Sequence, residues 1–427
     1  MREEFLHFLW KHRLYNQQQM FTQSGKPLRV ISPGFQNTDA GPDFSDARIM
    51  IGETIWVGNV EIHIKASDWT RHKHDLDKAY NSVILHVVSD CDLQVVTTDG
   101  EPIEAFQLTY SPILLMNYQT LLASDQDIRC QAKLLTYPSI NLHFWMNSLM
   151  VERLQQKTAL IKQDLERSVN NWNEVFYWFL AKSFGFKTNA VPFELLAKSL
   201  PLKVLAKHRE SVFQLEALLF GTAGLLYYPK VENDAYLEKL RMEYSYLQQK
   251  YQLKPIQAHL WKFARMRPLS FPTVRLAQFS MLVHQSYALF SKVIEIDDLV
   301  ELRKLLLVST SDYWETHYQF GTPSARHVKR LGRASVNGLL INTIVPFLFV
   351  YGSTHGSEKY KERALRFLDE LPAEQNSIVS SWSLAGIDAT SAEQSQALLQ
   401  LHKFYCQPKR CLQCSIGVGL VSKVNES

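Results

Sequence analysis

Between Val60 and Lys65 apolar and polar residues alternate, with Val60, Ile62 and Ile64 interleaved by Glu61, His63 and Lys65. Successive side chains of a strand point to opposite faces, so the pattern predicts a strand with Glu61, His63 and Lys65 on one side and the apolar residues on the other. This strand is predicted over Thr54 to Lys65. It pairs through Gly52-Glu53 with a strand over Ala47 to Ile51, forming a hairpin. Leu28 to Ile31, Ser82 to Val88, Leu93 to Thr97 and Glu104 to Thr109 are further strand runs, punctuated by Pro33-Gly34 and Asp99-Gly100. Phe5, Leu6, Phe8, Leu9 and Trp10 form a helical stripe within Glu3 to Tyr15, and Asp75 to Tyr80 predicts a short helix between strands.

The pattern changes near residue 125, and from about residue 138 it is helical. Helices are predicted over Leu142 to Val169, Asn171 to Phe184, Ser211 to Tyr228, Leu237 to Gln252, Pro272 to Tyr287, Arg363 to Leu371 and Ser391 to Tyr405. Ser391 and Gln394 have capping-box spacing at the start of the last. The fold class is therefore α+β. A mixed α/β module is expected over residues 1–125, a large all-α domain over 126–405, and a cysteine-containing tail over 406–427 packed on the helical domain. The most apolar stretch, Gly338 to Tyr351, contains Asn342 and Pro346 and is shorter than the ~20 residues a bilayer-spanning helix needs. It reads as a buried core helix, and no membrane association is expected.

Composition narrows this only a little. The 427 residues carry a net charge of +4, which permits nucleic-acid binding without implying it. Charge is locally denser at Arg326, His327, Lys329, Arg330 and Arg333, at Lys262, Arg265 and Arg267 beside Trp261 and Phe263, and at Lys403, Lys409 and Arg410. Such groups can track a phosphate backbone. The commoner use of each is a solvated helix face, with Trp261 and Phe263 in the core. The N-terminus from Met1 to Lys11 has no small-residue cleavage site, and the five cysteines do not form a disulfide framework, so a cytoplasmic protein with reduced thiols is expected.

The polar face of the Thr54–Lys65 strand carries the chemistry. Burying three charge-capable groups is costly without partners. Asp43, in the turn Gly41-Pro42-Asp43-Phe44, adds a second carboxylate. Two carboxylates can hold a hard cation, Mg²⁺ or Mn²⁺, while a lysine or histidine orients the attacking water. The plainer account is a turn aspartate and a solvated Glu61–Lys65 pair.

The arrangement resembles the PD-(D/E)XK nuclease superfamily, in which a helix precedes a strand pair carrying an Asp and a Glu-x-Lys, followed by a helix and a strand. Pro42-Asp43 matches the first motif and Glu61 with His63 the second, with His63 where the superfamily usually has lysine. Lys65 lies one pleat farther along the same face. The resemblance implies a catalytic set of Asp43, Glu61, His63 and Lys65, with Asp43 and Glu61 as metal ligands. It covers about the first quarter of the chain. Over most of its length the chain is also similar to an uncharacterised bacterial family of unknown function, on Gly41-Pro42-Asp43-Phe44, Gly58 to His63, Ser67-Asp68-Trp69, His72 to Asp77, Val83 to Val88 and the Cys406 to Gly417 tail.

Two further groups stand out. His72, His74 and His86, with Asp75 and Asp77 nearby, are secondary candidates for binding a cation or phosphate, and with His63 they could form a transition-metal centre. Asp75 and Asp77 more simply belong to a helix N-terminus. Cys406-x4-Cys411-x2-Cys414 has the short thiolate spacing of a zinc or iron–sulfur site lacking its fourth ligand, for which Cys130 or His402 is available. The functional expectation is a metal-dependent nuclease-like protein that binds nucleic acid and hydrolyses phosphodiesters. The alternative is a non-enzymatic nucleic-acid-binding or scaffold protein with a degenerate nuclease fold and a structural metal or iron–sulfur site.

Overall fold

The computed structural model describes residues 2–228, 231, 233–286 and 288–423, and the chain divides into two compact units. The first comprises residues 1–145, 384–386 and 401–427, the second 146–383 and 387–400. The architecture is α+β, a mixed sheet region followed by a large helical region. Drawn by contacts, the C-terminal segment belongs with the sheet region in the first unit, and the boundary falls at residues 145 and 146 rather than at the change of pattern near 125.

The first unit opens with α1 (Glu3–His12), whose buried face is Phe5, Leu6, Phe8, Leu9 and Trp10. It stops at Arg13, in the left-handed region at φ 53°, short of Tyr15. The strands are β1 (Leu28–Ser32), β2 (Phe35–Gln36), β3 (Phe44–Ile51) and β4 (Thr54–Lys65). After α2 (Asp68–Arg71) and 3-10 turns at His74–Leu76 and Lys78–Ser82 come β5 (Val83–Asp90) and β6 (Ala105–Gln107). The six-stranded sheet has the order β1-β3-β4-β5-β6, with β2 pairing on β3. β1, β3 and β4 form an antiparallel meander, whereas β5 runs parallel to β4 and β6 parallel to β5. The helical turns between β4 and β5 make the crossover that a parallel pair requires.

Several elements depart from the sequence expectation. Leu93 to Thr97 makes only an isolated bridge, Val96 to Pro102, within a loop. The short helix expected over Asp75 to Tyr80 is the two 3-10 turns, the second capped by the Asp77 carboxylate accepting from Ala79 N at 2.9 Å. α3 (Pro112–Ala123) was not expected, because its apolar residues are spread around the helix and give little 3.6-residue periodicity. α4 (Ser139–Arg167) agrees with expectation and ends where Val169 and Asn170 turn left-handed. The helix Phe186–Ser199 was missed, since Pro192 lies inside it and Asn189 breaks its dihedrals. The helix expected over Pro272 to Tyr287 is observed as Pro272–Gln285, with Tyr287 outside the described residues, as are residues 424–427 of the tail.

The apolar stretch also differs. Arg333–Thr354 is one helical run of 22 residues, long and apolar enough to cross a membrane, with 67% of its most apolar window buried in the protein. It passes through Pro346 because a π turn at Leu340–Ile344 absorbs the hydrogen bond that proline cannot donate. The Ser391 cap is as read, with Gln394 N donating to Ser391 Oγ at 3.4 Å, while the Gln394 side chain accepts from Thr390 N.

Gly34 fixes the end of β3 that carries Asp43. Its φ is +86°, and a Cβ there would lie 2.4 Å from the Ser45 carbonyl oxygen. Gly34→Ala should lower the free energy of unfolding by about 1–3 kcal/mol through backbone strain and overpacking. Urea unfolding followed by circular dichroism measures this, and an unchanged midpoint would contradict the β2–β3 register.

Candidate metal centre

The parallel register of β4 and β5 sets Glu61 beside His86 and His63 beside Val88. Paired residues share a face, so the row anticipated on β4 meets a further histidine from β5. Glu61 and His63 are 5% and 1% exposed, so this face lies inside the protein. The β-bulge between Phe44 and Ala47, with Asp46 at φ 56°, resets β3 where Asp43 enters it. There Asp43 N donates to Glu61 Oε2 at 3.1 Å, and Ile62 N donates to Asp43 Oδ2 at 2.9 Å. Each carboxylate thus satisfies a backbone group beside the other.

Histidines close around Glu61. Its Oε1 lies 3.3 Å from His74 Nε2 and 3.6 Å from His63 Nε2, and His63 Nε2 lies 3.1 Å from His72 Nδ1. One ligand atom from each of His63, His72 and His74 falls within 4.8 Å of the others. Donors at about 2.0–2.1 Å on a tetrahedral ion are separated by about 3.3 Å, so these spacings suit a single transition-metal ion. His63 Nδ1 is 2.8 Å from His86 Nε2. With Nε2 facing an ion, Nδ1–H donates to His86, the second-shell bond that fixes the tautomer of a ligating histidine. Tyr80 stacks on His74 at 3.8 Å between ring centroids.

His72 and His74 meet without an extended segment. His72 ends α2, Lys73 is left-handed at φ 64°, and His74 opens the next 3-10 turn, so the reversal at Lys73 brings the second ring back to the first. Periodicity does not reveal such a turn.

Burial dominates the electrostatics of the cluster. Burial, reinforced by Asp43, pushes the Glu61 carboxyl up to about 9. Burial and the neighbouring His86, His74 and His72 hold His63 down to about 2, and burial with His74 holds His86 down to about 4. Without an ion burial favours Glu61 as the uncharged acid and His63 and His86 as neutral imidazoles, the form in which imidazole ligates metals.

His7 of α1 was not anticipated. Its Nε2 lies 3.2 Å from Asp43 Oδ2. Burial opposes its charge, but Asp43 and then Glu3 more than offset this and raise its pKa. The available signal was the i, i+4 spacing of Glu3 and His7, which puts both on one side of α1.

Other expected residues lie elsewhere. Lys65 shares the face but is solvent-exposed, with Nζ 4.0 Å from Asp90 Oδ2, and does not join the cluster. Lys329, in the densest basic run, is fully buried and donates to the Trp314 and Glu315 carbonyls. Trp261 is core, with Nε1 donating to Ala223 O at 2.8 Å. Cys130, Cys406, Cys411 and Cys414 all lie in the first unit, whereas His402 Nε2 is engaged 2.8 Å from Asp127 Oδ2. A cavity of about 930 Å³ belongs to the second unit, lined by Lys157, Lys182, Lys187 and Arg333 among others.

Residues 3–377 match the family profile described as protein of unknown function, DUF2851. The chain belongs to the DUF2851 family. No curated protein and no solved structure matches it.

The cluster gives this DUF2851 protein a defined pH response. A carboxyl whose folded pKa is raised from 4.5 to about 9 contributes stability that is complete below 4.5 and lost as pH rises through 9. His63, depressed from 6.5 to about 2, contributes stability that is present above 6.5 and lost as pH falls. Above pH 6.5 the Glu61 trend therefore stands without opposition from His63, and His7 adds to it. The thermal midpoint of metal-free protein should fall between pH 6.5 and 9, and Glu61→Gln should flatten that fall; an equally steep fall in the variant would contradict the assignment.

Proposed function

We propose that the first unit is a metal-dependent phosphodiesterase of nuclease type, with a PD-(D/E)XK-like core. The element order supports this: a helix, a three-stranded antiparallel meander, helical turns and a parallel strand, with Asp43 entering the second long strand and Glu61 on the third. The observation that carries it is the convergence of Glu61 Oε1, His63 Nε2, His72 Nδ1 and His74 Nε2 at neighbouring separations of 3.1–3.6 Å beside Asp43. A divalent cation supplies charge neutralisation of a phosphodiester and a water acidic enough to act as nucleophile near neutral pH. Glu61 and the three imidazoles are the donors. Both cations expected, Mn²⁺ and Mg²⁺, prefer oxygen donors, Mg²⁺ the more strictly, whereas three imidazoles and a carboxylate suit Zn²⁺ best. His7, kept protonated to higher pH by Asp43, brings a positive N–H donor that can meet a phosphate oxygen or protonate a leaving group.

Nucleic acid is the proposed partner, with exposed Arg326, Arg330 and Arg333 of the second unit as backbone contacts. The outward position of Lys65 favours a second reading, a nucleic-acid-binding or scaffold protein whose nuclease-like core no longer cuts.

Full-length protein incubated with plasmid, linear duplex, single-stranded DNA and RNA, with Mn²⁺, Zn²⁺ or Mg²⁺, separates the two. The proposal expects divalent-cation-dependent cleavage reduced at least about 10²-fold by Glu61→Gln or Asp43→Asn. Salt-sensitive binding without cleavage transfers the protein to the second reading. Cleavage at the wild-type rate in a variant carrying both Glu61→Gln and Asp43→Asn removes this site from the chemistry.

A further inference from the structure

The metal centre leaves one group of reactive side chains unused. Cys130 precedes a 3-10 turn at Gln131–Thr136, Cys406 ends a π turn at His402–Cys406, Cys411 opens a 3-10 turn at Cys411–Gln413, and Cys414 caps the helix Ser415–Val421. None is in a disulfide. The segment after Cys130 packs on the C-terminal one, with Tyr137 Oη 2.7 Å from Ser415 Oγ and Lys423 Nζ donating to Thr136 O at 2.7 Å, and the four thiols act on one another electrostatically. The fifth cysteine stands apart, with Cys91 Sγ donating to Gln23 Oε1 at 2.9 Å.

The backbone around the triplet is shaped to present sulfur. Lys409 is left-handed at φ 62°, and its N–H donates to Cys406 O at 3.0 Å, which turns the chain from Cys406 towards Cys411. A Cβ on Gly417 would lie 2.1 Å from Cys411 O and 3.1 Å from Cys411 Cα, so glycine alone lets the Cys411 turn press against the following helix. Cys414 N donates to Cys411 O at 3.3 Å, and Val418 N donates to Cys414 O at 2.8 Å. The Trp145 ring packs against Tyr405, the residue before Cys406, at 5.3 Å between centroids, and its buried Nε1 has no hydrogen-bond partner.

The separations discriminate between ligands. Four thiolates on one zinc at about 2.3 Å lie about 3.8 Å apart. Among the described residues no three cysteine sulfurs fall within 4.8 Å of one another. The group is too open for a single tetrahedral ion, while a cluster that spreads its thiolates over several irons fills a larger space.

We propose that Cys130, Cys406, Cys411 and Cys414 ligate an iron–sulfur cluster. A preformed cluster carried on exchangeable thiolate ligands exchanges its bonds to them for four iron–thiolate bonds to the cysteines, whose protons pass to the displaced thiolates, with no net redox change. The cluster ties Cys130, at the end of the sheet region, to the C-terminal segment within the first unit. It is a structural site, independent of the hydrolase reading.

The test uses full-length protein purified without oxygen and reconstituted with ferric iron, sulfide and excess dithiothreitol, the dithiol reducing part of the iron. Iron, acid-labile sulfide and zinc are quantified beside the visible spectrum. The expected result is a brown protein with iron and sulfide in a fixed ratio. Cys130→Ser and Cys414→Ser should each lose most of both, whereas Cys91→Ser and a His63→Ala, His72→Ala double variant keep them. Loss of the cluster should open residues 401–423 to limited proteolysis. Because the wild-type metal content stands by itself, a variant that fails to fold does not decide the matter. One zinc per chain, four freely titrating thiols after reconstitution, or full cluster content in a folded Cys130→Ser variant would each overturn the assignment.

Discussion

Asp43 and Glu61 hold each other across the junction of two antiparallel strands, each accepting a backbone N–H from beside its partner. A buried polar group without a hydrogen-bond partner is costly, so these bonds let Glu61 stay buried beside the partly exposed Asp43 at the entry to β3. Much else in the first unit follows from that pair. The bulge at Asp46 brings Asp43 into register, His7 of α1 faces it, and the parallel strand β5 supplies His86 behind His63. Of the polar row on β4, Glu61 and His63 lie in the interior, met by Asp43, His72, His74 and His86, while Lys65 is exposed.

The same pairing limits what the site can do. Glu61 is spent partly on structure, since Oε2 takes the Asp43 amide, and Oε1 remains directed at the histidines. His63 divides its nitrogens in the same way, with Nδ1 on His86 and Nε2 on the cluster. Glu61 and His63 thus each have one atom anchored and one facing the cluster, so their orientation is held by bonds outside it. Lys65, on the same face, lies at the solvent end of the strand and does not reach them.

Legibility varied with the range of the interaction. The β3–β4 hairpin, the alternation on β4, the stripe of α1 and the capping of the Ala392–Leu401 helix are local patterns and were readable. The loop at Leu93 to Thr97 was misread because β-forming residues alone do not supply a strand partner. α3 and Phe186–Ser199 were passed over because an apolar helix buried on several sides has no clean period, and a proline inside a helix reads as a break. The Arg333–Thr354 helix was underestimated for the same reason, its π turn at Leu340–Ile344, ahead of Pro346, being invisible to a periodicity argument.

The sequence by itself determined which chemistries were available: two carboxylates near a strand pair, a run of histidines, and a cysteine triplet with ligand spacing. It also determined that Glu61 and His63 share a face, because strand geometry makes that a consequence of spacing. Only the tertiary structure decided which of these groups meet. A left-handed residue at Lys73 joins His72 to His74, a parallel register places His86 behind His63, and a chain reversal over the whole molecule returns Cys406, Cys411 and Cys414 to Cys130. It also excluded Lys65 and Lys329, the one by exposure and the other by burial against backbone carbonyls. The physical reason is that spacing fixes direction within an element, whereas proximity between elements depends on turns, register and packing that no single stretch of sequence encodes.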